Sequence, residues 1–158
     1  CFMQNKYYYF ITSDSMNDNK EVVKSAYDIA VSRLNLKKWP VYRDTILRTQ
    51  FIDGDEVVFY LAGKEKYSQH FIARATISGG LETVELHYDL DILETAKRIV
   101  SGYISFKKVN IFNEPVSLKN IINELDFIKN KNNYGLYFQG GIRHIDKKNF
   151  NLILASDT

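Results

Sequence analysis

The 158-residue chain has one cysteine, Cys1, which excludes an internal disulfide and a cysteine-built zinc cluster. That usage fits a reducing compartment, so a cytoplasmic location is expected. No run of about 18 apolar residues occurs, so neither a membrane-spanning helix nor a membrane partner is expected. The opening residues Cys1 to Lys6 lack the apolar stretch of a secretory signal. The chain opens on cysteine rather than methionine, which points to a processed product or a piece of a larger protein. Phosphate-cradling glycine loops are missing as well. Gly79-Gly80 and Gly140-Gly141 fit neither the P-loop nor the dinucleotide spacing. Neither G-x-S-x-G nor H-E-x-x-H is found. His70, His87 and His144 lie far apart in sequence, so no metal site and no cofactor is expected. Asp53, Asp55 and Glu56 read as a turn and a strand start rather than acid-base machinery. No positioned acid, base or nucleophile can be nominated, so the weight moves from catalysis to binding.

A large basic excess is also absent. The net charge is +2, too little for affinity driven by charge alone, so a nucleic-acid ligand would need a local patch and a pocket. What the chain has in quantity is aromatic side chains, 11 Tyr and 10 Phe with one Trp, which either fill a core or stack on ring systems. Apolar residues at 45% and charged residues at 25% match a single globular domain of ordinary size.

The pattern along the chain predicts an α+β fold. Lys6 to Ser13 is rich in strand formers and reads as a buried opening strand. Apolar residues at Val22, Val23, Ala26, Ile29, Ala30 and Leu34 predict an amphipathic helix from Glu21 to about Asn35. Pro40 holds Trp39 out of helical geometry. Val41 to Gln50 reads as irregular or one short helix. Asp53-Gly54-Asp55 is a turn, and Glu56 to Ala62 a central strand. His70 to Ser78 is a second strand able to pair with it, and Gly79-Gly80 breaks the chain. Thr83 to His87 reads as a short strand, Asp91 to Val100 as a helix, and Tyr103 to Phe112 as a strand. Ser117 caps a helix that buries Leu118, Ile121, Ile122 and Leu125; Ile142 to Ile145 is strand-like, and Asp146 caps a last helix. Five to six strands with three to four helices and no regular βαβ rhythm imply a mixed, curled sheet.

Four segments, taken in order, resemble the EVE domain of the PUA-like superfamily, which is related to the YTH and ASCH domains. They are Tyr7-Tyr8-Tyr9-Phe10-Ile11-Thr12-Ser13, Trp39-Pro40-Val41, Asp53-Gly54-Asp55-Glu56-Val57-Val58-Phe59-Tyr60, and a block from Val116 to Leu154. That block contains Tyr134, Tyr137-Phe138-Gln139-Gly140-Gly141-Ile142-Arg143 and Phe150. Two positions depart from the pattern: Tyr8 and Tyr134 stand where many relatives carry tryptophan, and both keep an aromatic face. The resemblance implies a PUA-like pseudo-barrel over residues 1–158 that accepts a base swung out of a nucleic acid. The base would be methylated or hydroxymethylated cytosine, or N6-methyladenine. It also implies a modification-dependent restriction setting with a nuclease or ATPase as partner or fused domain. An RNA reader, an ASCH-like hydrolase and a small-molecule or protein-binding domain stay open beside it.

Swinging a base out costs a few kcal/mol of unstacking. Stacking on rings returns about 1–3 kcal/mol per base. A pocket therefore needs ring faces, edge-reading polar groups, and cations for phosphates. The ring candidates are Trp39, Tyr8, Tyr60, Tyr134, Tyr137 and Phe138, with Gln139 and Ser13 as edge readers and Tyr9 and Thr12 beside them. Arg43, Arg48, Arg74, Lys129, Lys131 and Arg143 are the candidate phosphate contacts. Trp39→Ala is expected to abolish base preference and leave the fold intact; loss of the fold would mark Trp39 as a core residue.

Overall fold

Side chains alternate across a strand, so an unbroken aromatic run must divide between two faces of a sheet. Tyr7–Thr12 (β1) does this: Tyr8 and Phe10 enter one cluster, Tyr7, Tyr9 and Ile11 the other. The computed structural model describes residues 4–45, 50–89 and 98–157. Among these, the elements are β1, β2 (Ser15–Met16), β3 (Val22–Lys24), α1 (Ala26–Leu36), β4 (Lys38–Tyr42) and β5 (Glu56–Leu61). They continue with β6 (His70–Tyr88), β7 (Ile99–Ser117), α2 (Leu118–Ile121), two 3-10 segments, β8 (Ile142–Ile145) and α3 (Lys147–Ala155). The fold is α+β, with a mixed six-stranded sheet ordered β4-β7-β6-β5-β1-β8. Only the β1–β5 pair is parallel; each of its neighbours is antiparallel. This curled half-barrel with flanking helices is consistent with a PUA-like pseudo-barrel.

The inner face is closed by α1. Ala26 and Ala30 are small enough to let the helix lie against the sheet, and Leu34 fills the far end. Phe10, Phe59, Ile72, Ile77, Ile104 and Phe106 complete this core. The outer face is covered over part of its length by the C-terminal segment. There Val58, Tyr60, Phe71 and Val116 meet Leu118, Leu125, Phe138, Phe150 and Ile153. Burying one such ring or branched chain is worth about 1.5–3 kcal/mol, so two clusters of this size carry the fold.

Several elements differ from the sequence expectation, each for a local reason. Helix α1 starts at Ala26, not Glu21: Ser25 accepts a hydrogen bond from the Asp28 amide, and Asp14 takes the Ala26 amide at 2.8 Å. The residues ahead of it form the β2–β3 hairpin, whose turn is tied by Asn17 Oδ1 accepting the amides of Asn19 and Glu21. Val41 and Tyr42 extend β4, although that stretch looked irregular. Gly79-Gly80 does not end a strand. β6 runs on through it, absorbing the extra residues as bulges against β7. At Gly102 on β7 a Cβ would stand 2.7 Å from the Glu82 carbonyl oxygen, so only glycine lets the two strands close there. Pro115 falls between the paired positions Ile111 and Val116, where the ladder is interrupted and no amide is needed. The Ser117 helix is a single turn followed by 3-10 geometry, and Ser117 makes no side-chain cap. The expected helix from Asp91 lies mostly outside the described residues; its last two positions, Ile99 and Val100, open β7.

Candidate nucleic-acid interface

The aromatic candidates do not gather in one place. Trp39 and Tyr8 belong to the inner cluster; Tyr60, Tyr134, Tyr137 and Phe138 belong to the outer one. β5 explains the division, because Phe59 and Tyr60 are adjacent and must point opposite ways. Trp39 is 3% exposed, with the rings of Phe59 and Phe10 at 4.9 and 5.8 Å. Tyr8 packs on Phe51 and His144. Phe138 stacks on Tyr60 at 3.9 Å and 20°, with Phe71 and Tyr9 edge-on to it. These rings stack on each other, and the C-terminal block works as a cap on the sheet.

The cap is tied down by hydrogen bonds. Tyr9 Oη donates to the Tyr137 carbonyl at 2.6 Å, and the Tyr137 hydroxyl accepts the amides of Lys129 and Asn130. Burial pushes the Tyr9 hydroxyl up to about 12, so it remains a donor at any ordinary pH. Two expected phosphate contacts are spent in the same way. Lys131 Nζ donates to the Leu125 carbonyl and Arg143 to the Leu136 carbonyl. Lys129, Gln139 and Ser13 are exposed, while the Thr12 hydroxyl is buried with no partner among the described residues. Arg43 is more than half exposed beside Asp44. Arg74 pairs with Glu56 at 3.1 Å. Arg48 lies outside the described residues.

Next to Trp39 stands a polar knot absent from the sequence candidates. Arg33 lies with its guanidinium carbon 5.0 Å from the indole centroid. It donates from Nη2 to Tyr42 Oη at 2.9 Å and to Asp89 Oδ2 at 3.0 Å. The Tyr42 hydroxyl donates to the same Asp89 oxygen. Arg33 and Asp89 are 6% and 8% exposed. Burial drives the Tyr42 hydroxyl up to about 12, with the Arg33 charge opposing that rise and Asp89 adding to it. Arg33 Nε is buried with no partner among the described residues. Leaving such a donor unmet costs roughly 1–3 kcal/mol. One signal in sequence was available: position 33 falls on the buried stripe of α1, three residues after Ala30 and four after Ile29. A charged residue on an apolar stripe demands a buried partner, and that partner is a long way off in sequence.

The outer face is left open where the C-terminal cap stops. Glu56, Arg74, Thr76, Lys108 and Asn110 line a polar cleft of about 330 Å³ there, over β5, β6 and β7. Among the described residues no helix is long and apolar enough to cross a membrane.

No family model matches the chain, and no curated protein matches it. Solved structures similar to it at low identity include two that cover nearly the whole chain. One is the NMR structure of Rpa0253 from Rhodopseudomonas palustris, 13% identical over 96% of this chain and 92% of that one, with a TM-score of 0.49. The other is the N-terminal domain of Staphylothermus marinus McrB, 10% identical over 97% of this chain and 95% of that one, with a TM-score of 0.47. Likeness at this level fixes no chemistry.

Proposed function

We propose that the chain is a binding module without turnover that reads a modified base swung out of a nucleic acid. The observation that carries this reading is Arg33 Nε, buried beside Trp39 with no partner among the described residues. Trp39 is closed off in this structure, so a base reaches it only where Arg33 swings off the indole, and the base then offers an acceptor to the guanidinium. The guanidinium now on the indole is itself flat, so a base would exchange one planar partner of Trp39 for another. The base edge would have to replace the hydrogen bonds that Tyr42 and Asp89 now make with Arg33 and with each other. The four segments that resemble the EVE domain support DNA as the strand. They also support a place in a modification-dependent restriction system with a nuclease or ATPase partner or fused domain.

Trp39 is the only tryptophan, so its emission reports this spot directly. The test titrates the protein with DNA and RNA oligonucleotides carrying methylcytosine, hydroxymethylcytosine or N6-methyladenine, each against its unmodified twin. The expected result is quenching of Trp39 by one modified strand, bound about fourfold tighter than its twin, the worth of one buried methyl group. A panel in which no strand binds or perturbs Trp39 overturns the reading. Stronger quenching by the RNA members keeps the reader and replaces DNA.

A further inference from the structure

Polar side chains on the outer face of β5, β6 and β7 stand opposite one another in the ladder. Glu56 pairs with Thr76, Arg74 with Asn110, and Thr76 with Lys108. All five line the 330 Å³ cleft. Their hydrogen bonds are unevenly used. Glu56 is held on both oxygens, by Arg74 Nη2 at 3.1 Å and by Thr76 Oγ1 at 2.9 Å. Arg74 is also steadied by Phe150, whose ring centre lies 5.7 Å from the guanidinium carbon. Lys108 and Asn110 are exposed and have no side-chain partner among the described residues. The floor is therefore fixed, and the unspent donors stand around it: the rest of the Arg74 fork, the Lys108 ammonium and the Asn110 amide. Two cations against one carboxylate leave a net positive charge.

We infer that this cleft binds a phosphoryl group and the sugar attached to it. Donors arriving from two strands suit a tetrahedral oxyanion with oxygens in several directions better than a planar carboxylate. The Glu56 carboxylate beside them, with lone pairs to spare, accepts from a sugar hydroxyl. A free nucleotide and the backbone of a nucleic-acid strand both present this chemistry. The site lies on the face opposite Trp39 and its occupancy does not depend on any modified base.

The test follows backbone amide shifts of the intact chain with inorganic phosphate, adenosine 5′-monophosphate and an unmodified single-stranded RNA hexanucleotide. Shifts are expected at residues 74–76 and 108–110, and Lys108→Gln is expected to weaken binding about tenfold by removing one charge-assisted bond. Asn110→Ala is expected to weaken it less, and Lys20→Gln, on the β2–β3 hairpin, not at all. Saturation by the mononucleotide at lower concentration than the hexanucleotide identifies a free nucleotide as the ligand, and the reverse order identifies the strand. Absence of shifts at these amides with all three probes overturns the inference, as does a Lys108→Gln protein of unchanged affinity. Because every probe is unmodified, either failure leaves the base-reading test standing.

Discussion

The two faces of the sheet solve the same packing problem differently. The inner face is apolar over most of its length and takes in a buried ion pair, Arg33 with Asp89, set beside Tyr42 and Trp39. The outer face is apolar only under the C-terminal cap and polar beyond it, where Arg74 meets Glu56 in partial contact with solvent. Both carry an arginine–carboxylate pair about 3 Å apart, and their energetic weight differs through exposure. Side chains of the inner pair are 7% exposed, while Arg74 is 38% and Glu56 22%. Losing one partner of the inner pair strands a charge in a low dielectric; losing one of the outer pair hands the other to water.

The sharpest way to break this comparison is Asp89→Asn. It is expected to cost about 3–5 kcal/mol in urea unfolding, because the Arg33 charge stays buried. Glu56→Gln is expected to cost under about 1 kcal/mol. Equal losses would remove the distinction between the faces. Trp39→Ala is expected to destabilise by about 3–5 kcal/mol, against the expectation from sequence that the fold would be indifferent. Phe138→Ala, which empties the stack on Tyr60, is expected to fall in the same range, read by the same unfolding curve. A loss near zero would show the C-terminal block to be a loose cover.

Smaller effects separate the faces by pH. His144 sits below its ordinary 6.5, first because burial disfavours its charge and then through Lys6. A folded value under the unfolded one means the unfolded chain binds the proton more readily. The His144 contribution to stability is therefore full above about pH 6.5 and declines as pH falls below it. His144→Gln is expected to flatten that part of a stability profile. Asp126 is also held low, first by Asn149 and then by Lys148. Its contribution is present above the unfolded value of 3.8 and is lost as pH falls through the folded one, so Asp126→Asn should lower stability above that value and flatten the profile only on the more acidic limb.

Much of the fold was legible because its signals are local. Strand-forming residues gave β1, the run after the Asp53-Gly54-Asp55 turn gave β5, and the Asp146 cap gave α3. β6 and β7 were underestimated, since a bulged ribbon carries extra residues through glycines that imitate chain breaks. The candidate site was less readable for a physical reason. A tyrosine that stacks on a ligand and one that stacks on Phe138 look alike in sequence. What separates them is which rings the topology has already supplied as partners. Tyr60 and Trp39 found theirs inside the protein. The Arg33–Asp89 pair needed knowledge that α1 and the end of β6 meet, which no spacing reveals.

The pairing of β1 with β8 has a consequence for biosynthesis. β1 is made early and β8 late, yet they lie side by side, Tyr7 against Ile145. Until the distal segment emerges, one aromatic edge of the nascent sheet has no strand beside it, and its amides and carbonyls offer a template to any neighbouring chain. Chaperone demand should accordingly be greatest before β8 emerges, and premature termination before Ile142 should yield aggregates rather than a smaller folded species.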